Sequence, residues 1–255
     1  MKRLAFFAAL LAASGAFAQT AIDQNRALAG NVTPGDAPGF PVTLSQPGSY
    51  KLTGNLTVPA YTSGIVITAE DVTLDLNGFT VSGPGSCTQD TATFSVTCTQ
   101  QHDESKPGID ARPRRSVVRN GTVKGFPGAG VLASTSYSAA SGAGRYERLT
   151  LAQNAMQGFI SVGHGSTVSH SVFDTNRIHG LYMSRGQVAN SLAVNNGGTG
   201  LVGGGSALLI TESSTTNNRI SVEHAAVRGT SSFGDKGTRN GVTSLGGNVE
   251  GITPY

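Results

Sequence analysis

Four positions in the second half of the chain carry groups that could do acid and base chemistry together. Arg148, His170, Asn190 and Glu212 each stand six residues before an asparagine (Asn154, Asn176, Asn196 and Asn218) and are 22, 20 and 22 residues apart. If that spacing is a stacked repeat, the four fall in one column with neighbours about 5 Å apart. A uronate lyase needs a cation or base near the acidic proton, a group to neutralise the carboxylate and an acid for the leaving oxygen, and an Arg beside a His beside Asn and Glu makes an acid/base stripe of that kind. Arg148, His170 and Glu212 are therefore the catalytic candidates, although a water-facing side of a coil has the same composition. Three residues after each asparagine, Gln157, His179, Thr199 and Ser221 form a second column. The cluster Arg112, Arg114, Arg115, Arg119 and Lys124 could attract an anionic polymer; its plainer reading is a solvated basic edge. Arg115, Arg119, Lys124 and His179 are the substrate-binding candidates.

The elements that must position these groups follow from the repeat. The segments "AQNAMQGFIS", "DTNRIHGLYM", "VNNGGTGLVG", "TNNRISVEHA" and "TRNGVTSLGG" align on Asn154, Asn176, Asn196, Asn218 and Asn240, and the first three carry a glycine four places later (Gly158, Gly180, Gly200). A period near 21 residues, with several short apolar runs and no helical stripe, predicts one rung of a parallel β-solenoid per repeat. Each strand then pairs with its equivalents above and below, and no hairpin partner is needed. "DVTLDLNGFTV" (71–81) and "RSVVRNGTVKGF" (115–126) have the same order of aliphatics, Asn-Gly and β-branched residues, as do "GIVIT" (64–68) and "GIDAR" (108–112) before them. The asparagines are expected to sit at left-handed bends and to form an amide ladder along the stack; the glycines are expected to be turn residues.

"PGSYKLTGNLTV", "ITAEDVTLDLNGFTVSG", "VVRNGTVKGF" and the Asn-x-x-x-Gly rungs resemble the right-handed parallel β-helix proteins of the pectin-lyase superfamily, in particular uncharacterised exported bacterial ones. The resemblance covers residues 40 to 250. It implies an all-β, single-stranded right-handed parallel β-helix of roughly eight to nine rungs, about 40 Å long. It implies little chemistry, because that fold hosts lyases, hydrolases, epimerases and adhesins. "GHG" at 163–165 matches a polygalacturonase motif, yet 149–162 contains no Asp or Glu to serve as the acid, so His164 is expected to be a turn residue. The Asp-Pro pair that an alginate epimerase carries is absent.

"MKRLAFFAALLAASGAFA" (1–18) has the charged start, apolar run and Ala-x-Ala end of a signal peptide, which predicts a secreted or periplasmic protein. No other segment has the roughly 20 apolar residues of a membrane span. The chain has 18 Lys and Arg against 15 Asp and Glu, and Lys2 and Arg3 belong to the leader, so the charge balance argues against nucleic acid as a partner. Cys87 and Cys98 are the two cysteines and are expected to form one disulfide in an oxidising compartment. The five histidines show no ligand spacing, so no metal site and no cofactor are expected, with calcium through carbonyls and Asp left open. Trp is absent, leaving Tyr50, Tyr61, Tyr146 and Tyr182 as sugar-stacking candidates. The organisation expected is leader 1–18, capping segment 19–40, and coil 41–255 with an excursion near 83–107; the segment after Asn240 is expected to cover the far end. The function expected is binding of an extracellular or envelope polysaccharide or cell-surface glycan, with lyase-type modification if the protein is an enzyme. The alternative is a non-catalytic structural or adhesive surface protein, and the sequence specifies no oligomeric state.

Overall fold

A computed structural model describes residues 19–136, 143–163, 165–237 and 241–250. Along most strands of the coil a buried residue alternates with half-buried or exposed ones over three to five positions, the period of a strand buried on one side only. Among the described residues, 23 strands join one hydrogen-bonded sheet and two form a separate hairpin. Every pairing in the large sheet is parallel, and the partner lies in the next rung; the sheet therefore curls into a coil.

Three faces are traced by register. On the first, Tyr50, Leu74, Val118, Tyr146, Val168, Val188, Ile210 and Val227 stack inward one above another. On the second the inward column runs Leu56, Val81, Val123, Leu151, Phe173, Ala193, Thr215 and Ser232. On the third it is Val42, Ile65, Ile109, Val131, Phe159, Leu181, Leu201 and Val222. These columns are the core, and nearly all of their members are fully buried. Tyr50 and Tyr146 belong to it, with 3% and 1% exposure, so neither is available to a sugar.

The corners carry the rung period. Between the first and second faces Asn120, Arg148, His170, Asn190, Glu212 and Gly229 all adopt left-handed backbone, with φ from 47° to 62°. Between the second and third faces Gly125, Gln153, Thr175, Asn195, Asn217 and Gly234 do the same. The ladder asparagines are thus not the left-handed residues; they follow them. Asn154, Asn176, Asn196 and Asn218 are 0% exposed. Their Nδ2 groups donate to the next Oδ1 at 3.0, 3.0, 2.8 and 3.0 Å, the last acceptor being Asp235. Asp235 comes 17 residues after Asn218 and accepts also from Thr215 and Ser232, so a carboxylate, needing donors only, closes the ladder. Asn240, which the sequence alignment puts there, lies outside the described residues.

Gly158, Gly180 and Gly200 are likewise not left-handed turn residues. A Cβ on Gly180 would lie 2.5 Å from the carbonyl oxygen of Gly200 and 3.0 Å from Asn196 Nδ2, so glycine is needed for the close approach that seals the ladder. A second ladder runs along the other corner. Ser171, Ser191 and Ser213 each accept from a backbone N–H of the preceding rung at 3.2 Å and donate to the carbonyl two residues back.

Val117 pairs directly with Thr73, so a large part of the chain between them leaves the coil. That part includes the antiparallel hairpin Cys87–Gln89 and Val96–Cys98, closed by the Cys87–Cys98 disulfide. Residues Thr20–Ile22 pair in parallel with Tyr50–Leu52, and the helix Gln24–Ala29, N-capped by Asp23, follows with Ala27 buried. At the far end Thr243–Ser244 and Val249–Glu250 pair in parallel with the strands before them, so this segment continues the coil where the sequence suggested a cover.

Candidate functional site

Arg148, His170 and Glu212 do share a column, since Glu147 is paired with Ser169 and Ala189 with Thr211 on either side. All three are exposed on the left-handed corner, and none lines the grooves described below. Arg148 has Glu147 at 3.6 Å as its ion-pair partner. Each of its members has left-handed backbone at the bend, and Ser171, Ser191 and Ser213 follow His170, Asn190 and Glu212.

The basic cluster is largely neutralised. Arg115 donates to both oxygens of Asp71 and to Glu70 at 2.7 Å, which raises its own pKa and lowers that of Asp71. Arg112 grips Asp110 through two nitrogens at 2.6 to 3.1 Å. Arg119 bonds Asp75 at 3.1 Å and lies opposite Glu147, so Lys51, Asp75, Arg119 and Glu147 form an alternating charge row across four rungs. Lys124 is exposed on the outer side of the second face, opposite Ser82 and Ala152.

The third face is different. Its outward positions are aligned as Val66, Asp110, Leu132, Ile160, Tyr182, Val202 and Glu223, and four consecutive ones are apolar or aromatic. Outward positions on an exposed sheet face are normally polar. Leu132 and Val202 are only 7% and 6% exposed, whereas Ile160 and Tyr182 are half-buried. Leu132, Ile160 and Tyr182 form the floor of a groove of about 290 Å³, with Glu104 and Gln157 on one rim and Thr135 on the other. Gln157 Oε1 is shielded from water and has no partner among the described residues.

Beside Gln157 in register stands His179, whose Nδ1 accepts from the Thr199 N–H at 3.0 Å; Thr199 in turn donates its hydroxyl to Glu223 at 2.6 Å. Burial pushes the His179 pKa down, with Glu223 opposing it, and the Thr199 N–H, which needs an unprotonated Nδ1, favours the same neutral ring. Ile220, not Ser221, opposes Thr199, so the second sequence column ends one residue earlier than its spacing suggested. The hydroxyl of Ser184, 2% exposed, has no partner among the described residues and faces the space left by the missing side chain of Gly204, as does Tyr182 Oη.

Alternation arguments missed this floor because they search for polar outward positions. The signal was present as a failure of alternation: Val131-Leu132, Phe159-Ile160, Leu181-Tyr182 and Leu201-Val202 are apolar pairs at matching points of successive rungs. His164 lies outside the described residues. Among the described residues no group of three or more His, Cys, Asp or Glu gathers as a metal site, and no helix is long and apolar enough to cross a membrane.

No family model and no curated protein matches the chain. Among solved structures it is similar to the Dettilon tailspike protein (gp208), with 13% sequence identity and a TM-score of 0.38 over 82% of this chain and 57% of the tailspike chain. The chain thus spans a little over half the length of that protein.

Proposed function

We propose that the chain is an exported, right-handed parallel β-helix that holds a polysaccharide or cell-surface glycan along its third face. The observation that carries this reading is the outward apolar floor Leu132, Ile160 and Tyr182, rimmed by Gln157, Glu104 and Thr135. Sugar rings present a C–H face and a belt of hydroxyls. An apolar floor with one aromatic ring meets the first, and amide, carboxylate and hydroxyl rims meet the second. The floor continues to Val202, three rung steps from Leu132, or about 14 Å, which suits an extended oligomer better than a single ring. Glu104 is the one charged group in the lining, so no cation stands there to neutralise a uronate carboxylate. The proposal is accordingly for binding.

In this reading residues 1–18 are the leader, 19–40 cap the first rung, and 41–255 form roughly eight to nine rungs, right-handed as parallel crossovers almost always are. The excursion near 83–107 is the segment that carries Glu104 to the groove rim. The test is titration of a panel of neutral and acidic oligosaccharides into the wild-type protein and into Tyr182→Ala and Ile160→Asp. Loss of about tenfold or more in affinity for a panel member in both variants supports the groove. Binding that survives both substitutions places the ligand elsewhere and refutes it.

A further inference from the structure

The disulfide hairpin lies along the corner between the second and third faces. Cys98 Sγ is 3.9 Å from the Asn154 carbonyl oxygen, and Gln89 Nε2 donates to the Asn217 carbonyl at 2.8 Å, so the hairpin extends across several rungs. Gly197 permits this, because a Cβ there would lie 3.0 Å from Val96. Between the hairpin's second arm and the corner is a cleft of about 380 Å³ walled by Thr97, Thr99, Gln100, Gln101, His102 and Arg177. It is separate from the groove on the third face, and the segment from His102 to Glu104 stands between the two.

Arg177 Nη1 lies 3.1 Å from His102 Nδ1. A guanidinium cannot accept, so in this contact Nδ1 is the acceptor and the ring N–H is on Nε2. That leaves Nε2–H as a donor beside the remaining guanidinium donors. No residue of the wall is a carboxylate. Arg112, Arg115, Arg119 and Arg148 each have an acidic partner; Arg177 has none among the described residues. The equivalent places in the next three rungs, the residue after each ladder member, are Gly197, Arg219 and Lys236, so the neighbouring rung leaves Arg177 room without adding a charge.

We infer that this cleft is an anion-binding site, taking the carboxylate of an acidic sugar or a small free oxyanion. Planar carboxylate matches the guanidinium fork, the His102 Nε2–H adds a neutral donor, and the threonine hydroxyls and glutamine amides supply contacts to ligand hydroxyls. The inference does not rest on the third-face groove.

The experiment follows the His102 ring signals by NMR in the full chain at low salt while glucuronate, glucose and inorganic sulfate are added separately. Glucuronate shifts them saturably and glucose does not, and Arg177→Gln weakens glucuronate about tenfold or more. Arg177 is exposed, so its replacement leaves the fold intact, which far-UV circular dichroism checks. Sulfate binding tighter than glucuronate identifies the free oxyanion as the ligand; glucuronate tighter than sulfate identifies the sugar acid. No saturable shift with either anion, or an unchanged affinity in Arg177→Gln, overturns the inference.

Discussion

Asn195 and Asn196 are adjacent residues of one type with opposite roles, and that contrast tests the ladder. Asn196 is 0% exposed; its Oδ1 accepts from the Asn176 N–H and Asn176 Nδ2, both at 3.0 Å, and its Nδ2 donates to the Phe173 carbonyl at 2.9 Å and to Asn218 Oδ1 at 2.8 Å. Asn196→Ala strips the Asn176 N–H and one Asn176 amide hydrogen of their acceptor and leaves the Phe173 carbonyl without its side-chain donor. Asn218 Oδ1 keeps the Asn196 backbone N–H. At about 1 to 3 kcal/mol for each buried group left unpaired, and with some relaxation, the cost is roughly 3 to 6 kcal/mol. That is a large part of the roughly 5 to 15 kcal/mol that a domain typically has. Asn195 has φ 56° and makes only two long side-chain contacts, to Asp174 at 3.2 Å and from Asn217 at 3.4 Å. Glycine adopts its backbone without strain, so Asn195→Gly stays within about 1 kcal/mol of wild type. Urea unfolding followed by circular dichroism measures both, comparing midpoints only where the slopes agree, because coils of repeats need not unfold in one step. If Asn196→Ala costs no more than Asn195→Gly, the account of the ladder is wrong.

Gly180→Ala is expected to cost about 1 to 3 kcal/mol by overpacking against the Gly200 carbonyl and Asn196 Nδ2. The same measurement on Gly165→Ala, where nothing lies within 4 Å but φ is 71°, should show only the left-handed penalty of about 1 to 2 kcal/mol. His179 makes stability depend on pH. Its folded pKa lies below the 6.5 of a free imidazole, so between those values the unfolded chain binds more protons and stability rises with pH. Its contribution is complete above about pH 7 and declines as pH falls below 6.5 toward the folded value. His179→Gln should flatten the urea midpoint against pH between about 7.5 and 5, and equal slopes for the two proteins would sink this reading.

The parallel coil was legible in the sequence because one rung cannot bury its own inner side. Side chains that stack must recur at the rung period, and Asn154, Asn176, Asn196 and Asn218 do so. The same spacing put Arg148, His170 and Glu212 into a column. It could not say that the column is a convex corner, because periodicity reports which residues align and is silent on the side of the backbone where they emerge. Nor could it distinguish Asn195 from Asn196: one has the left-handed φ and the other the buried amide, a difference created only when the chain bends. Composition also left Tyr50 and Tyr182 equivalent, and the register sends the first into the core and the second to the groove floor.

By itself, then, the sequence determined that successive rungs stack in parallel and which residues meet across them, since both follow from hydrophobic spacing and backbone hydrogen bonding. Tertiary structure decided the rest. Arg115 and Arg119 met Asp71 and Asp75, more than forty positions earlier in the chain, and the hairpin from the excursion came to lie beside Arg177. Which charges are neutralised and which remain open depends on contacts between rungs and between the coil and its excursion, and no local pattern encodes those.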